Sequence, residues 1–536
     1  MVESKPTIQC LDVIITSEAG DKQASHPNIS FSTDSSDAPN QLIIYPDRLK
    51  QKMTGVGTSF TQSSAFVLAH LEETSRYDVM TAIYGASGAN FSIARTHIGA
   101  CDFCVDGKYS YAPIADDVSL EHFSVAADYE PFDSLKYTDL SDASFTLLPM
   151  IQQANAIKAQ QGDDSIAIIA SAWTAPPWMK TIEDWYINAS AESHYQGGGG
   201  ELKPEYESTY ANYLAKYLDA YKAEGVDIWG LTPVNEPHGN NGQWESMHFS
   251  PQSQSSFIKK HLGPALKASD YPETKLLIYD QNREGIEEWA DVILADKEAS
   301  EYVYGTAIHW YESTFKVYED SLEYVHNSYP DFDIIHTEGC IDDLGKPAPE
   351  GILDPEGFQE SGWFDNDDFW WNKNATDWAY TATWAPNADD HPMYTPVHRY
   401  ARNIIVSFNH WMSGWIDWNI VLDQDGGPNH VGNFCGAPIM IDTKSKYVYY
   451  TPIYHVLSQL SRTIRPGDHA VEIALHTPDL DNDVLHSCAT INNNDLLSIQ
   501  LLNTSKSEVS LSLEIIEQTS LINLPANSVV TIQLQL

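Results

Sequence analysis

The sequence predicts an α/β chain: a (β/α)8 barrel with an additional all-β side sandwich formed by its N-terminal strands and C-terminal region. Three observations predict it. From residue 50 to about 422, eight short apolar runs alternate with longer mixed or amphipathic segments, the texture of α/β architecture. Beyond about residue 461 this gives way to alternating apolar and polar runs separated by polar turns, as in an antiparallel sandwich. No G-x-G-x-x-G cradle or phosphate loop occurs, which weakens the alternative of a doubly wound open sheet.

Residues 8–16 and 42–46 ("LIIYP") read as strands separated by a Ser/Asp/Pro-rich stretch. Barrel strands are expected at "MTGVGTSF" (53–60), "FSIARTHIG" (91–99), "SIAIIASAW" (165–173), "VDIWGLTPVNE" (226–236), "TKLLIYD" (274–280), "YGTAIHWY" (304–311), "FDIIHTEG" (332–339) and "MSGWIDWNIVL" (412–422). Between them, "YESTYANYLAKYLDAYKAEG" and "IEEWADVILADK" carry helical patterning. The "GGGG" at 197–200 lacks the Lys-Ser/Thr of a nucleotide loop and reads as a flexible excursion after strand three. "HAVEIALH", "LLSIQLLNTS", "VSLSLEII" and "VVTIQLQL" supply the closing strands. Pairing them with the early strands would cover both sheet faces, giving expected domains of 1–47, 48–455 and 456–536.

The 536-residue chain carries 75 Asp plus Glu against 30 Lys plus Arg, a formal net charge of -45. Such a field repels nucleic-acid phosphates and anionic membranes, so neither is an expected partner. The acids are scattered, as on a strongly hydrated surface, and a high-salt habitat would fit them. Fifteen Trp and 29 Tyr suit an aromatic-lined cleft. The start, "MVESKPTIQCLDVIITSEAG", lacks the apolar core of a secretory signal, and no run of about 20 apolar residues qualifies as a membrane span. The expectation is a soluble protein; secreted or periplasmic placement, with a signal outside this sequence, and cytoplasmic placement both stay open. Six cysteines are too few for a disulfide scaffold. Cys101 and Cys104 form a lone C-x-x-C, weak as a zinc or redox signal without a second pair or a His partner, so packed thiols are the expectation and no metal is assigned.

Barrel enzymes carry their chemistry where strands end at the C-terminal face. Those positions hold Arg95, His97 and Asp102; Trp173; Asn235 and Glu236; Asp280; His309, Trp310 and Tyr311; Glu338; Trp415, Asp417, Trp418 and Asn419; and, further on, Asn433. Aromatic faces beside hydrogen-bonding edges suit a sugar ring. Either Glu alone reads as a strand-end ion pair or a loop acid. Together, Glu236 after strand four and Glu338 after strand seven offer the two carboxyl groups that acetal hydrolysis needs, one to protonate the leaving oxygen and one to attack or to activate water. Such a division requires surroundings that separate their pKa values, and Arg95 or Tyr311 would hold one of them ionised.

The chain resembles glycoside hydrolase family 30, the glucosylceramidase-like family among the retaining clan A barrel hydrolases. The resemblance runs through "QKMTGVGTSFTQSSA", "IARTHIGACDF", "ASAWTAPPWMK", "TPVNEPHG", "AIHWY", "IIHTEG", "SGWIDWNIVLDQDGGPNHVGNF" and "YYTPIYHVLSQLSRTIRPG", about residues 48–467. It implies Glu236 as general acid/base and Glu338 as nucleophile of a double-displacement hydrolase that retains anomeric configuration. It further implies that Asn235 binds the hydroxyl next to the reacting carbon, that Tyr311 sits near the nucleophile, and that Asp102, Trp173, Trp418 and Asn433 hold the terminal glucose. Arg95 and His309 match supporting positions, with an internal ion-pair role as the plainer alternative. No cofactor is expected, since acetal hydrolysis needs only acids and water.

The implied activity is hydrolysis of a terminal β-D-glucosyl linkage in a β-glucoside, glycolipids included; the alternative is an endo- or exo-β-1,6-glucanase. A β-xylosidase, a β-fucosidase or a noncatalytic carbohydrate-binding protein ranks below both. The chain departs from the family pattern in "PHGNNGQWESMHFSP" and in the long insertion after Glu338. There, Trp363, Trp370 and Trp371 read either as a leaving-group platform or as loop anchors. His430 in "GPNH" is placed close to the implied pocket rim.

Overall fold

The computed structural model describes residues 8–33, 38–162, 165–187, 198–239, 244–311, 316–340 and 395–536. The N-terminal segment supplies β1 (Gln9–Ser17), β2 (Ala24–Ser25) and β3 (Asn40–Lys52). Eight parallel strands then close a barrel: β4 (Gly55–Phe60), β5 (Ile93–Ile98), β6 (Ala167–Ala172), β7 (Gly230–Thr232), β8 (Lys275–Asn282), β9 (Val303–His309), β10 (Asp333–Glu338) and β11 (Met412–Asp417), with β11 pairing back onto β4. Between them run helices such as Glu207–Ala223 and Ile286–Ile293.

The barrel interior is layered by the two-residue period of its strands. Ile93, Ile169, Leu277, Ala307, Ile335 and Ile416 form a buried apolar layer. Two residues further along β5, β6, β9 and β10 stand Arg95, Ser171, His309 and Thr337, also fully buried. Their facing rule places a polar layer directly above the apolar one. On β8 the alternation is broken by a register shift between Tyr279 and Gln281, with left-handed φ of 75° at Tyr279 and 63° at Asp280. The Tyr279 ring packs on helix residue Trp289, 5.1 Å between centroids, and Asp280 takes the inward place.

Two expected strands are shorter than the sequence suggested. Regular pairing in the fourth spans only Gly230–Thr232 and stops before Pro233, which has no N–H for a ladder. The run at 412–422 leaves the barrel after Asp417, passes Asn419 at a φ of 23°, and resumes as β12 (Val421–Asp423). β12 joins β13 (Ile439–Asp442) and β14 (Tyr447–Tyr450) in a small sheet that the sequence did not foretell. The glycine run is also corrected over its described part: Gly198–Gly200 is buried, and a Cβ on Gly199 would lie 2.5 Å from the Ser246 backbone. These glycines permit close packing there.

The side domain contains β15 (His469–His476), β16 (Leu485–Ile491), β17 (Leu496–Asn503), β18 (Val509–Ile515), β19 (Gln518–Leu524) and β20 (Ser528–Gln535). Its nine-stranded order, β19-β18-β3-β15-β16-β17-β20-β1-β2, takes in all three N-terminal strands. β1 runs antiparallel to β20, and β3 lies between β18 and β15. Leu42, Ile44, Leu497, Ile499, Leu511, Leu513, Val530 and Ile532 share its core, each buried aliphatic side chain favouring the fold by about 1.5–3 kcal/mol. The helix Pro452–Thr463 ties the domains together. Its Gln459 accepts from Thr16 Oγ1 at 2.7 Å and donates to Thr531 Oγ1 at 2.9 Å, while Ser461 donates to the Val56 carbonyl of β4.

Candidate active site

Arg95 is the hub of the polar layer. Its guanidinium donates to Asp280 Oδ2 at 2.7 Å, to Asn235 Oδ1 at 2.6 Å, to Ser171 Oγ at 3.1 Å, and through the remaining terminal nitrogen to Glu338. Thr337, Thr232 and Ser171 all donate to Asp280 as well. Burial works against the Asp280 anion, but Arg95 and the His309 hydrogen bond outweigh it and hold the carboxyl well below the usual carboxylate range.

His309 bridges Asp280 and Glu236, with Nε2 3.0 Å from Asp280 Oδ1 and Nδ1 3.4 Å from Glu236 Oε1. Burial would strip its proton, yet Glu338, Asp280 and Glu236 together raise its pKa to about 9. The ring is therefore an imidazolium, donating from both nitrogens. Glu236, His309 and Glu338 come within 4.8 Å of one another, but a doubly protonated ring has no lone pair for a metal.

Glu338 is buried between two donors, Arg95 and the Tyr311 hydroxyl, the latter at 2.9 Å. Burial pushes its carboxyl up, the charges of Arg95 and His309 oppose that push, and Glu236 adds to it; the net direction is upward. A carboxylate oxygen of Glu236 lies within 4.8 Å of one of Glu338. Glu236 stands just beyond β7 with a φ of 49°, a left-handed conformation uncommon for a side chain of this size. Its N–H is held by the Asp280 carbonyl at 2.9 Å.

Four of the remaining residues implied by the sequence form two pairs. Trp173 and Trp418 stack at 5.2 Å, and the Arg95 guanidinium lies 4.8 Å from the Trp173 ring and 5.9 Å from that of Trp418. Asp102 accepts from Asn433 Nδ2 at 3.0 Å. Burial, with the Glu338 charge adding to it, lifts the Asp102 carboxyl to about 8, so near neutral pH this group carries a proton. Asn235 must turn its oxygen to Arg95, which only donates, leaving its NH2 for another acceptor. Asp417 stands apart, its Oδ1 taken by the Tyr400 hydroxyl at 2.8 Å. Trp363, Trp370 and Trp371 lie outside the described residues.

Two carboxyl groups at this separation thus stand over a closed parallel barrel with a β-sandwich beside it. Residues 53–348 and 383–464 match the Glycosyl hydrolase family 30 TIM-barrel domain, and residues 469–532 match the family's beta sandwich domain. The chain belongs to glycosyl hydrolase family 30. It is 28% identical over 502 residues to putative glucosylceramidase 4 of Caenorhabditis elegans, covering 92% of this chain and 82% of that protein. It is 27% identical over 476 residues to the lysosomal acid glucosylceramidase of Mus musculus, covering 88% and 79%. The solved structure of the endo-beta1,6-glucanase BT3312 superposes with a TM-score of 0.74 at 23% identity, covering 98% of this chain and 99% of that one.

As a family 30 glycoside hydrolase, the chain acts on glycosidic bonds, and its carboxylate pair lies at the C-terminal ends of β7 and β10. The sequence places Asp280 at a strand end without marking it as part of the site. Ser171, Thr232 and Thr337 went unnoticed, although their two-residue offset from Ile169, Gly230 and Ile335 is a readable signal for the inward face. Glu245 was missed too. It pairs with His430 Nε2 at 3.1 Å and accepts from the Lys108 N–H at 2.9 Å. Among the described residues, no helix is long and apolar enough to cross a membrane.

Proposed function

We propose that this family 30 enzyme is a retaining, glucosylceramidase-like β-glucosidase that hydrolyses terminal β-D-glucosyl linkages. The observation that carries the retaining mechanism is the approach of the Glu236 and Glu338 carboxylates to within 4.8 Å. Retaining pairs stand roughly 5–5.5 Å apart, and inverting pairs, which must admit a water, about 6.5–9.5 Å. Glu338, oriented by Arg95 and Tyr311, attacks the anomeric carbon as nucleophile while Glu236 protonates the departing oxygen. The C–O bond to the aglycone breaks as the ester bond to Glu338 forms. Glu236 then takes a proton from water, which attacks the same carbon and frees Glu338.

Asn235 presents its amide NH2 to the hydroxyl beside the reacting carbon. The neutral Asp102 and its partner Asn433 hold the outer hydroxyls, and Trp173 and Trp418 supply the apolar wall. Glucosyl specificity takes its support from the glucosylceramidase relatives and from these residues. Glucose release from 4-nitrophenyl β-glucoside, glucosylceramide, gentiooligosaccharides and β-1,6-glucan, compared side by side with the product anomer read by NMR, tests the proposal. Release of β-glucose from the first two supports it. Cleavage confined to β-1,6-glucan transfers the substrate to the glucanase type, and an α-anomer as first product overturns retention.

A further inference from the structure

Cys101 and Cys104 play no part in the chemistry above, and the fold gives them the His partner that the bare C-x-x-C lacked. His97 lies at the end of β5, four residues before Cys101, making the pattern H-x3-C-x2-C. All three side chains are fully buried. A ring nitrogen of His97 and the two sulfurs lie within 4.8 Å of one another.

The two sulfurs are 3.8 Å apart. Two Zn–S bonds of about 2.3 Å at the tetrahedral angle place their sulfurs roughly 3.8 Å apart, whereas a disulfide requires about 2.05 Å. The imidazole is already set for ligation. His97 Nδ1 faces the Gly99 carbonyl at 2.7 Å, and a carbonyl only accepts, so Nδ1 carries the proton. The lone pair is then on Nε2, which receives the Gln62 N–H at 3.2 Å. Anchoring the rear nitrogen on a carbonyl is the usual way a ligating histidine is oriented. The Cys101 N–H donates to Cys104 Sγ at 3.3 Å, which holds the second sulfur against the turn that carries the first.

We propose that His97, Cys101 and Cys104 form a binding site for a thiophilic divalent cation, Zn2+, with a water as its fourth ligand. Coordination exchanges two S–H bonds for two S–Zn bonds, releases two protons to solvent, and replaces the Gln62 N–H with the metal at Nε2. No oxidation state changes. A ring nitrogen and sulfurs bound to one tetrahedral zinc stand about 3.5 Å apart, and these atoms lie within 4.8 Å of one another, so the imidazole has at most about 1.3 Å to close. Asp102 lies between the two cysteines in the chain, so the ion would clamp the turn that carries it. The site stands whether or not Asp102 contacts a sugar.

X-ray absorption at the zinc edge, on the purified full chain stripped by chelator and reloaded with one equivalent of Zn2+, reads the ligand set directly. The expected spectrum has two sulfurs at about 2.3 Å and the balance nitrogen or oxygen. Co2+ in place of Zn2+ should give thiolate-to-metal charge-transfer bands that saturate at one ion per chain. Cys104→Ser should weaken binding by roughly tenfold or more, while Cys488→Ser, in the side domain, should leave it unchanged. A zinc spectrum without sulfur neighbours in the wild-type chain overturns the proposal, and it does so even if the Cys104 variant fails to fold. Equal affinity in a folded Cys104→Ser variant overturns it too.

Discussion

Arg95 and Asp280 form a fully buried ion pair at 2.7 Å across the barrel, from β5 to β8. The same two side chains hold the groups around them: Arg95 reaches Glu338 and Asn235, and Asp280 reaches His309. Removing one member of such a pair leaves an uncompensated buried charge, at a cost of about 3–5 kcal/mol. Asp280→Ala should therefore lower the urea unfolding free energy by that order and reduce turnover in the fraction that stays folded. Unfolding indistinguishable from wild type would mean that Arg95 finds compensation elsewhere.

Glu236→Gln keeps the shape of the side chain and removes its proton chemistry, so turnover should fall by on the order of 10²–10⁴. With a 4-nitrophenyl leaving group, which needs little protonation, the first step survives better than the second. A burst of nitrophenol followed by a slow steady state is the expected trace. Glu338→Ala should abolish turnover without a burst. A burst in the Glu338 variant, or none in the Glu236 variant, would exchange or dismiss the assigned roles.

The imidazolium of His309 links pH to stability. Its pKa is raised from 6.5 to about 9, so its contribution is complete below about pH 6.5 and is lost as pH rises through about 9. Asp280 has the opposite sign: its depressed pKa gives stability that is present above about 3.8 and lost as pH falls toward its folded value. Thermal midpoints of wild type and His309→Asn, measured from pH 6 to 10, should converge on the alkaline side. Parallel curves across that range would remove His309 from the linkage.

The sequence made the barrel legible because each strand is an apolar run whose last residues turn polar. It also made the two glutamates legible, because both sit at such ends. Asp280 was harder. The two-residue period points Leu277 and Tyr279 inward, and only the bulge at Tyr279 and Asp280 reverses the pattern. His97 escaped as a partner of Cys101 and Cys104 because it belongs to a strand and they belong to the loop after it. The side sandwich was read from its most regular strands, whereas β16 ("LHSCATI") and β19 ("QTSLINL") lack a clean alternation and went unread. The place of β16 is set by its ladders to β15 and β17, and that of the edge strand β19 by its ladder to β18.

His430 and Glu245 form a further, largely buried ion pair near the carboxylates, and the departures from the family pattern meet there. His430 Nδ1 faces the Cys104 carbonyl at 3.0 Å and Nε2 faces Glu245, two acceptors that require a proton on each nitrogen. Burial opposes the charged ring, but the Glu245 hydrogen bond and charge, joined by Asp102, raise its pKa. The imidazolium in turn pulls against the raised pKa of Asp102. Glu245→Gln should therefore lower the His430 pKa and push that of Asp102 further up, readable as shifts in carboxyl and imidazole NMR titrations. Gly107 provides a second route to the same pair, since a Cβ there would lie 2.3 Å from the His430 ring. Gly107→Ala must displace that ring and also strains a φ of 64°, so it should raise KM for the glucoside more than Glu245→Gln does. If both variants keep wild-type KM and wild-type titrations, the His430–Glu245 pair supports only the loops that carry it.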